Sequence, residues 1–192
     1  MRMDSMGKGR HSSPARKMKP MILVFCEGDT EDVYVNLLKT RYRIPMKIVS
    51  KITGQRISPA LIMRHIKNER LNGNDTIHTF LLYDLDVDGI SEKIQRCQGI
   101  MICCNPCTEQ WFLLHEKEQY AFLTTEACIQ TLKKEPGWED YKKGSLSETQ
   151  KQRLWEHREQ ACARAKTLTD FENPSAPLYH LIGLRSMQAT EV

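Results

Sequence analysis

The segment Asp84-Leu85-Asp86-Val87-Asp88-Gly89 places three carboxylates at alternate positions. Like charges held so close repel one another. A divalent cation relieves that repulsion: hard ions such as Mg²⁺ choose carboxylate oxygens, and ligands at i and i+2 converge where an extended strand ends. The spacing opens like a calcium loop, but Ser91, Glu92 and Lys93 follow Gly89 without the continuation that loop needs, which argues against an EF-hand. The structural alternative is an acidic turn whose aspartates accept backbone N–H groups. A fourth acid, Glu27, follows the apolar run Met21–Cys26 and precedes Gly28, where the chain can turn sharply. If that run and Thr79–Tyr83 are parallel neighbours, Glu27 and Asp84 end at one edge. Together with Asp86 they then form a carboxylate cluster of the kind that holds one or two metal ions for phosphoryl chemistry. Glu31 and Asp32 are accounted for by the preference of acids for a helix N-terminus.

A third stretch, Asn105-Pro106-Cys107-Thr108-Glu109-Gln110-Trp111-Phe112-Leu113-Leu114-His115, reads as a helix with Asn105 as cap and Pro106 in the first turn. Its free N–H groups would then face an anion, which makes Asn105 a substrate-binding candidate. Glu109 and His115 flank the buried run and are candidate catalytic groups; a satisfied histidine is the alternative for His115.

The elements that must position these residues alternate between strand and helix. Met21–Cys26 and Thr79–Tyr83 are continuous apolar runs, as expected for strands covered on both faces of a parallel sheet. Pro45–Ile52 reads as a strand nearer an edge, and Ile100–Cys103 as a fourth. Between them, helices are expected from Asp29 or Thr30 to about Arg41, from Ser58-Pro59 onward, and around Ile90–Cys97. Beyond residue 103 the pattern is helical: the 105–117 stretch, Thr125–Lys134, Glu148–Thr169 and Pro177–Met187. The expectation is an α/β fold: an open, mainly parallel sheet flanked by helices, with a helical C-terminal layer.

Length and composition agree with a single globular domain over residues 20–192: 192 residues, 40% hydrophobic and 27% charged. No apolar run approaches the ~20 residues of a membrane span, and Met1–Lys19 lacks the apolar region of a signal peptide. A cytoplasmic protein without membrane contact is expected. Residues 1–19 carry Arg2, Lys8, Arg10, Arg16, Lys17 and Lys19 against Asp4 alone. They read as a disordered basic arm, either a solvated tail or a phosphate-contacting one. The net charge of +4 sits largely there, so composition by itself does not show nucleic-acid binding. The seven cysteines are an odd number and read as reduced, buried thiols. The rival reading is a structural zinc on Cys103, Cys104 and Cys107 with Cys97 or His115. It lacks a second Cys-x₂-Cys pair.

The ordered set CEGDTE at 26–31, YDLDVDG at 83–89 and NPCTEQWFLLH at 105–115 resembles the RloB family. Later traces agree: YKKG at 141–144, ACARAK at 161–166, Asn173-Pro174-Ser175 and Tyr179-His180-Leu181. The resemblance implies a Toprim-like fold, in which an acid after the first strand and an Asp-x-Asp after a later one map to Glu27, Asp84 and Asp86. Asp88 lies two residues beyond that pair, as an additional metal-ligand candidate. Thr108 stands where relatives often carry an aromatic residue and is expected to matter little for chemistry. The resemblance further implies a role in antiphage defence beside an ABC- or AAA-type ATPase and is compatible with a homo-oligomer. Toprim modules serve in nucleases, topoisomerases and primases, and Mg²⁺- or Mn²⁺-dependent hydrolysis of DNA or RNA fits a chain of this size best. The alternative from another class is a non-catalytic regulatory or scaffold subunit.

Overall fold

The computed structural model of the chain describes residues 21–42, 47–73 and 76–183. The basic arm expected at 1–19, the first two residues of the strand expected at 45–52 and the end of the helix expected at 177–187 lie outside them. Four parallel strands form one sheet in the order β2-β1-β3-β4: β1 (Met21–Cys26), β2 (Lys47–Ile52), β3 (Ile77–Asp84) and β4 (Ile100–Cys104). β2 is an edge strand, as its mixed composition suggests.

The apolar runs explain the centre of the sheet. Ile22, Val24 and Cys26 of β1 face one hydrophobic cluster, while Met21, Leu23 and Phe25 face another, and all six are buried. β3 alternates the same way, Phe80 and Leu82 against Leu81 and Tyr83. A strand whose successive side chains are all apolar is stable only when both faces are covered. On one side lie α2 (Pro59–Leu71) and α3 (Ile90–Gln95), contributing Ile62, Ile66, Ile90 and Ile94. The Ser58 side chain accepts the Leu61 N–H at 3.2 Å and caps α2, with Pro59 in the first turn.

On the other side lie α1 (Asp29–Tyr42) and α4 (Glu109–Glu116). Behind them stand α5 (Thr125–Leu132), α6 (Glu148–Glu156), α7 (Arg158–Ala165) and α8 (Tyr179–Gly183). α4 is the hub of this layer: every residue from Glu109 to His115 is buried, and it packs against α5, α6 and α7. A helix enclosed all round must also bury its polar residues, which is how Glu109, Gln110 and His115 enter the interior.

Two helix expectations are corrected. The stretch 148–169 is two helices, broken at His157, where the Arg158 guanidinium lies over the Trp155 ring and donates to the Trp155 carbonyl at 2.7 Å. The helix expected from Asn105 starts only at Glu109, because Asn105 is held in an extended bridge to Ser175: each donates its amide to the other's carbonyl at 2.9 Å. All seven cysteines are free thiols, and five are buried as small apolar groups. Among the described residues no helix is long and apolar enough to cross a membrane.

Candidate functional site

The register of β1 on β3 pairs Cys26 with Leu82, so Glu27 and Asp84 leave the sheet at the same edge. The expectation of parallel, adjacent strands with Glu27 beside Asp84 holds. One Glu27 carboxylate oxygen accepts the Asp84 amide at 3.0 Å. Asp84, the last residue of β3, is buried, and its Oδ1 accepts the Thr108 hydroxyl at 2.8 Å. Asp86 is exposed and accepts the Thr125 hydroxyl at 2.7 Å.

The neighbourhood holds two further acids. Glu31 is 3% exposed, and its carboxylate accepts the Gly28 amide at 2.8 Å, closing the first turn of α1 from the third helical position. Glu109 is fully buried. Its Oε1 accepts the Tyr141 hydroxyl at 2.7 Å; its Oε2 makes no hydrogen bond and faces the Lys143 ammonium at 3.7 Å. The turn carrying Tyr141 and Lys143 is docked on the start of α1: the Gly144 amide donates to the Thr30 hydroxyl at 2.9 Å. Gly144 has φ +74°, and a Cβ there would stand 2.9 Å from that of Asp29, so only glycine fits this approach.

The electrostatics follow from this crowding. Burial pushes the Asp84 carboxyl well above the usual carboxylate range, and Glu31, Glu109 and Glu27 add to the shift against the Thr108 hydrogen bond. Burial also raises Glu27; the Asp84 amide and Lys143 oppose that, while Glu31 and Asp86 reinforce it. Burial lowers the Lys143 ammonium, but Glu109 and Asp84 outweigh it, leaving Lys143 raised above its ordinary value.

Other candidates fall elsewhere. Asp88 is exposed just ahead of α3. Asn105 is not a helix cap: its side-chain amide donates to the Phe171 carbonyl at 2.9 Å. The Gln110 and Trp111 amides donate to the carbonyls of Cys107 and Thr108, so those two face no anion. His115 sits at the far end of α4, its Nδ1 2.8 Å from the Trp111 carbonyl, and its charged neighbours are Glu116, His157 and Arg164. Burial lowers its pKa to about 4.

Four participants come to light only in the fold. Thr108, expected to matter little, bonds directly to Asp84. Glu31 has a helix-terminal role as expected but is also a charge neighbour of Asp84. Tyr141 and Lys143 lie in the YKKG trace, which was the available signal; their partner Glu109 is more than thirty positions earlier in the chain.

Among the described residues, no three His, Cys, Asp or Glu side chains stand arranged to hold a metal ion. The donor types nevertheless suit a hard divalent cation: all are carboxylate oxygens, and one of them, on Glu109, is buried without a hydrogen bond.

The family model described as RloB-like protein matches residues 22–184. The chain belongs to the RloB-like family. The match takes in the strand-edge acids together with Thr108, Glu109, Tyr141 and Lys143, so the residues gathered here are all within the family's own extent. No curated protein and no solved structure matches the chain.

Proposed function

We propose that this RloB-like chain is a Toprim-like, divalent-metal-dependent nuclease that hydrolyses phosphodiester bonds of DNA or RNA in antiphage defence, gated by an ABC- or AAA-type ATPase partner. The observation carrying this reading is the crowding of acids at the sheet edge: Glu31 and Asp86 act on Glu27, and Glu31, Glu109 and Glu27 on Asp84, with Lys143 a cation beside them. Uncompensated acids at the carboxyl ends of parallel strands suit a cationic ligand at the place where α/β sheets bind ligands. Glu27, Asp84 and Asp86 would hold Mg²⁺ or Mn²⁺, with Asp88 within reach along the chain. A bound divalent ion there would offset the carboxylate repulsion and polarise a phosphate oxygen.

The chain's own groups have distinct parts. Glu27, held at the strand end by the Asp84 amide, takes the proton from the attacking water. Thr108 holds the Asp84 carboxylate in one orientation. Lys143 offsets charge on the bound phosphate. Glu109, through Lys143 and Tyr141, is a positioning residue, and His115 supports α4 from within the core.

The regulatory-subunit reading has one observation in its favour. Glu27, Asp84 and Asp86 already accept protein hydrogen bonds, as an acidic turn would. Metal titration by calorimetry and gel-based cleavage with Mg²⁺ and Mn²⁺, with and without the ATPase, separates the two. Asp84→Ala/Asp86→Ala is expected to abolish metal binding and cleavage. Glu27→Gln is expected to retain most metal affinity while losing turnover by about a hundredfold or more. Cleavage by the double variant at the wild-type rate would leave the acidic cluster a structural feature.

A further inference from the structure

The strand order sets three chemically different surfaces in a row along the carboxyl edge of the sheet. Beyond the end of β2 lies a cleft of about 560 Å³ whose lining includes Thr53, Arg56, Ser58, Arg64 and His65 and no acid. Arg56 and Arg64 are exposed and form no ion pair among the described residues. Lys51 adds a third positive charge near His65. The cleft is built onto the acidic site: Thr53 donates its amide to the Cys26 carbonyl at 2.9 Å, and its hydroxyl is bonded to Tyr83 of β3. The acidic cluster comes next, at the ends of β1 and β3. On its other side a cleft of about 410 Å³ runs between Asp86, Asn105, Thr125 and Phe122.

Phe122 is 72% exposed, and Tyr120, two residues before it, is 55% exposed. Phe122 is also firmly presented. Both backbone polar groups of the next residue, Leu123, are tied to the Asn173 side chain, at 3.1 Å and 2.8 Å. A ring held open to solvent beside a polar cleft offers a π-face to a flat ligand. At a strand spacing of ~4.8 Å, the ends of β2 and β4 are roughly 15 Å apart, a distance a few nucleotides of extended chain can cross.

We infer that this edge is the track for a single-stranded nucleic acid, its phosphates on Lys51, Arg56 and Arg64 and an unstacked base against Phe122, with the scissile phosphate between them at Asp84. The inference rests on the nuclease reading and names its substrate class. Glu69 acts on His65 from outside the lining, but the lining itself carries cations and no acid, which suits a phosphodiester backbone. An exposed aromatic serves an unstacked base, whereas a duplex keeps its π-faces inside the stack.

The test is binding of the full chain to a labelled oligonucleotide by fluorescence anisotropy in chelator, so that no cleavage intervenes. Single-stranded DNA, single-stranded RNA and a duplex of the same sequence are compared over a range of salt. The single strand is expected to bind about tenfold or more tighter than the duplex. Phe122→Leu should weaken single-strand binding about tenfold and Phe122→Trp should preserve it. Arg56→Ala/Arg64→Ala should reduce the slope of log affinity against log salt by about 1.4. Equal binding of duplex, an unaffected Phe122→Leu, or an unchanged salt slope would each overturn the track. If the protein cleaves with Mg²⁺ while these variants bind normally, the track fails and the nuclease stands. If the variants behave as expected and neither Mg²⁺ nor Mn²⁺ supports cleavage, the track stands and the nuclease fails.

Discussion

The two glutamates at the ends of α4 meet opposite fates. Glu116, at the C-terminal end, has a side chain only 3% exposed and is thoroughly compensated. Arg153 donates to it from two nitrogens, the Trp138 indole donates at 2.7 Å, and His157 stands at 3.7 Å. Burial acts to raise its pKa, but the Arg153 and Trp138 hydrogen bonds outweigh this and hold it below the usual range. Glu109, at the N-terminal end, has one tyrosine hydroxyl and a lysine at 3.7 Å, among acids that push Asp84 upward. The same helix therefore shows that this fold can neutralise a buried carboxylate, and that at the sheet edge it does not. A compensated acid holds the helical layer together; an uncompensated group of them is what the proposed metal site rests on.

The sharpest way to break this comparison is to remove charge at each end. Glu116→Gln leaves the Arg153 guanidinium facing a neutral amide; because Arg153 is partly exposed, the loss is expected to be about 2–3 kcal/mol by urea denaturation. A smaller value would make the Glu116 end ornamental. His115, beside it, is held neutral by burial with a pKa of about 4, below that of the unfolded chain. A depressed histidine costs stability as pH falls below about 6.5, by about 2 kcal/mol at pH 5. That part of the acid slope should vanish in His115→Phe, measured by melts between pH 7 and 5.

Asp84→Asn is expected to do the reverse of Glu116→Gln and raise stability by about 1 kcal/mol near pH 7 in chelator. The folded state binds the Asp84 proton more tightly than the unfolded chain does. Stability is therefore lost as pH rises through the raised Asp84 value. The asparagine variant should lack that loss, and a melt that falls instead would mean the carboxylate is already compensated. The smallest effect is expected for Thr108→Val, which removes the hydroxyl donated to Asp84. It should cost about 1 kcal/mol or less at pH 7 and move the Asp84 titration further upward, read by carboxyl NMR.

Much of this molecule is legible before any coordinates. Met21–Cys26 is apolar at every position and Thr79–Tyr83 at all but its first, as a parallel sheet covered on both sides requires, and their ends carry Glu27 and Asp84 to one edge. Ser58-Pro59 announces α2 because capping is local chemistry. What misleads is local chemistry overruled from a distance. Asn105-Pro106 has the composition of a helix start, yet its partner is Ser175, seventy residues away. His157 interrupts what periodicity reads as one helix.

The sequence by itself determined the strands, their order along the chain, and the acids Glu27, Asp84 and Asp86 that end two of them, because hydrophobic periodicity and turn chemistry act over a few residues. Only the tertiary structure decided that Glu31 and Glu109 join those acids, that Thr108 holds Asp84, and that Lys143 faces Glu109 among them. It also decided that His115 belongs to the opposite end of its helix. The reason is that charge compensation depends on which side chains the packed layers bring within a few ångströms, and that distance is not written in the spacing along the chain.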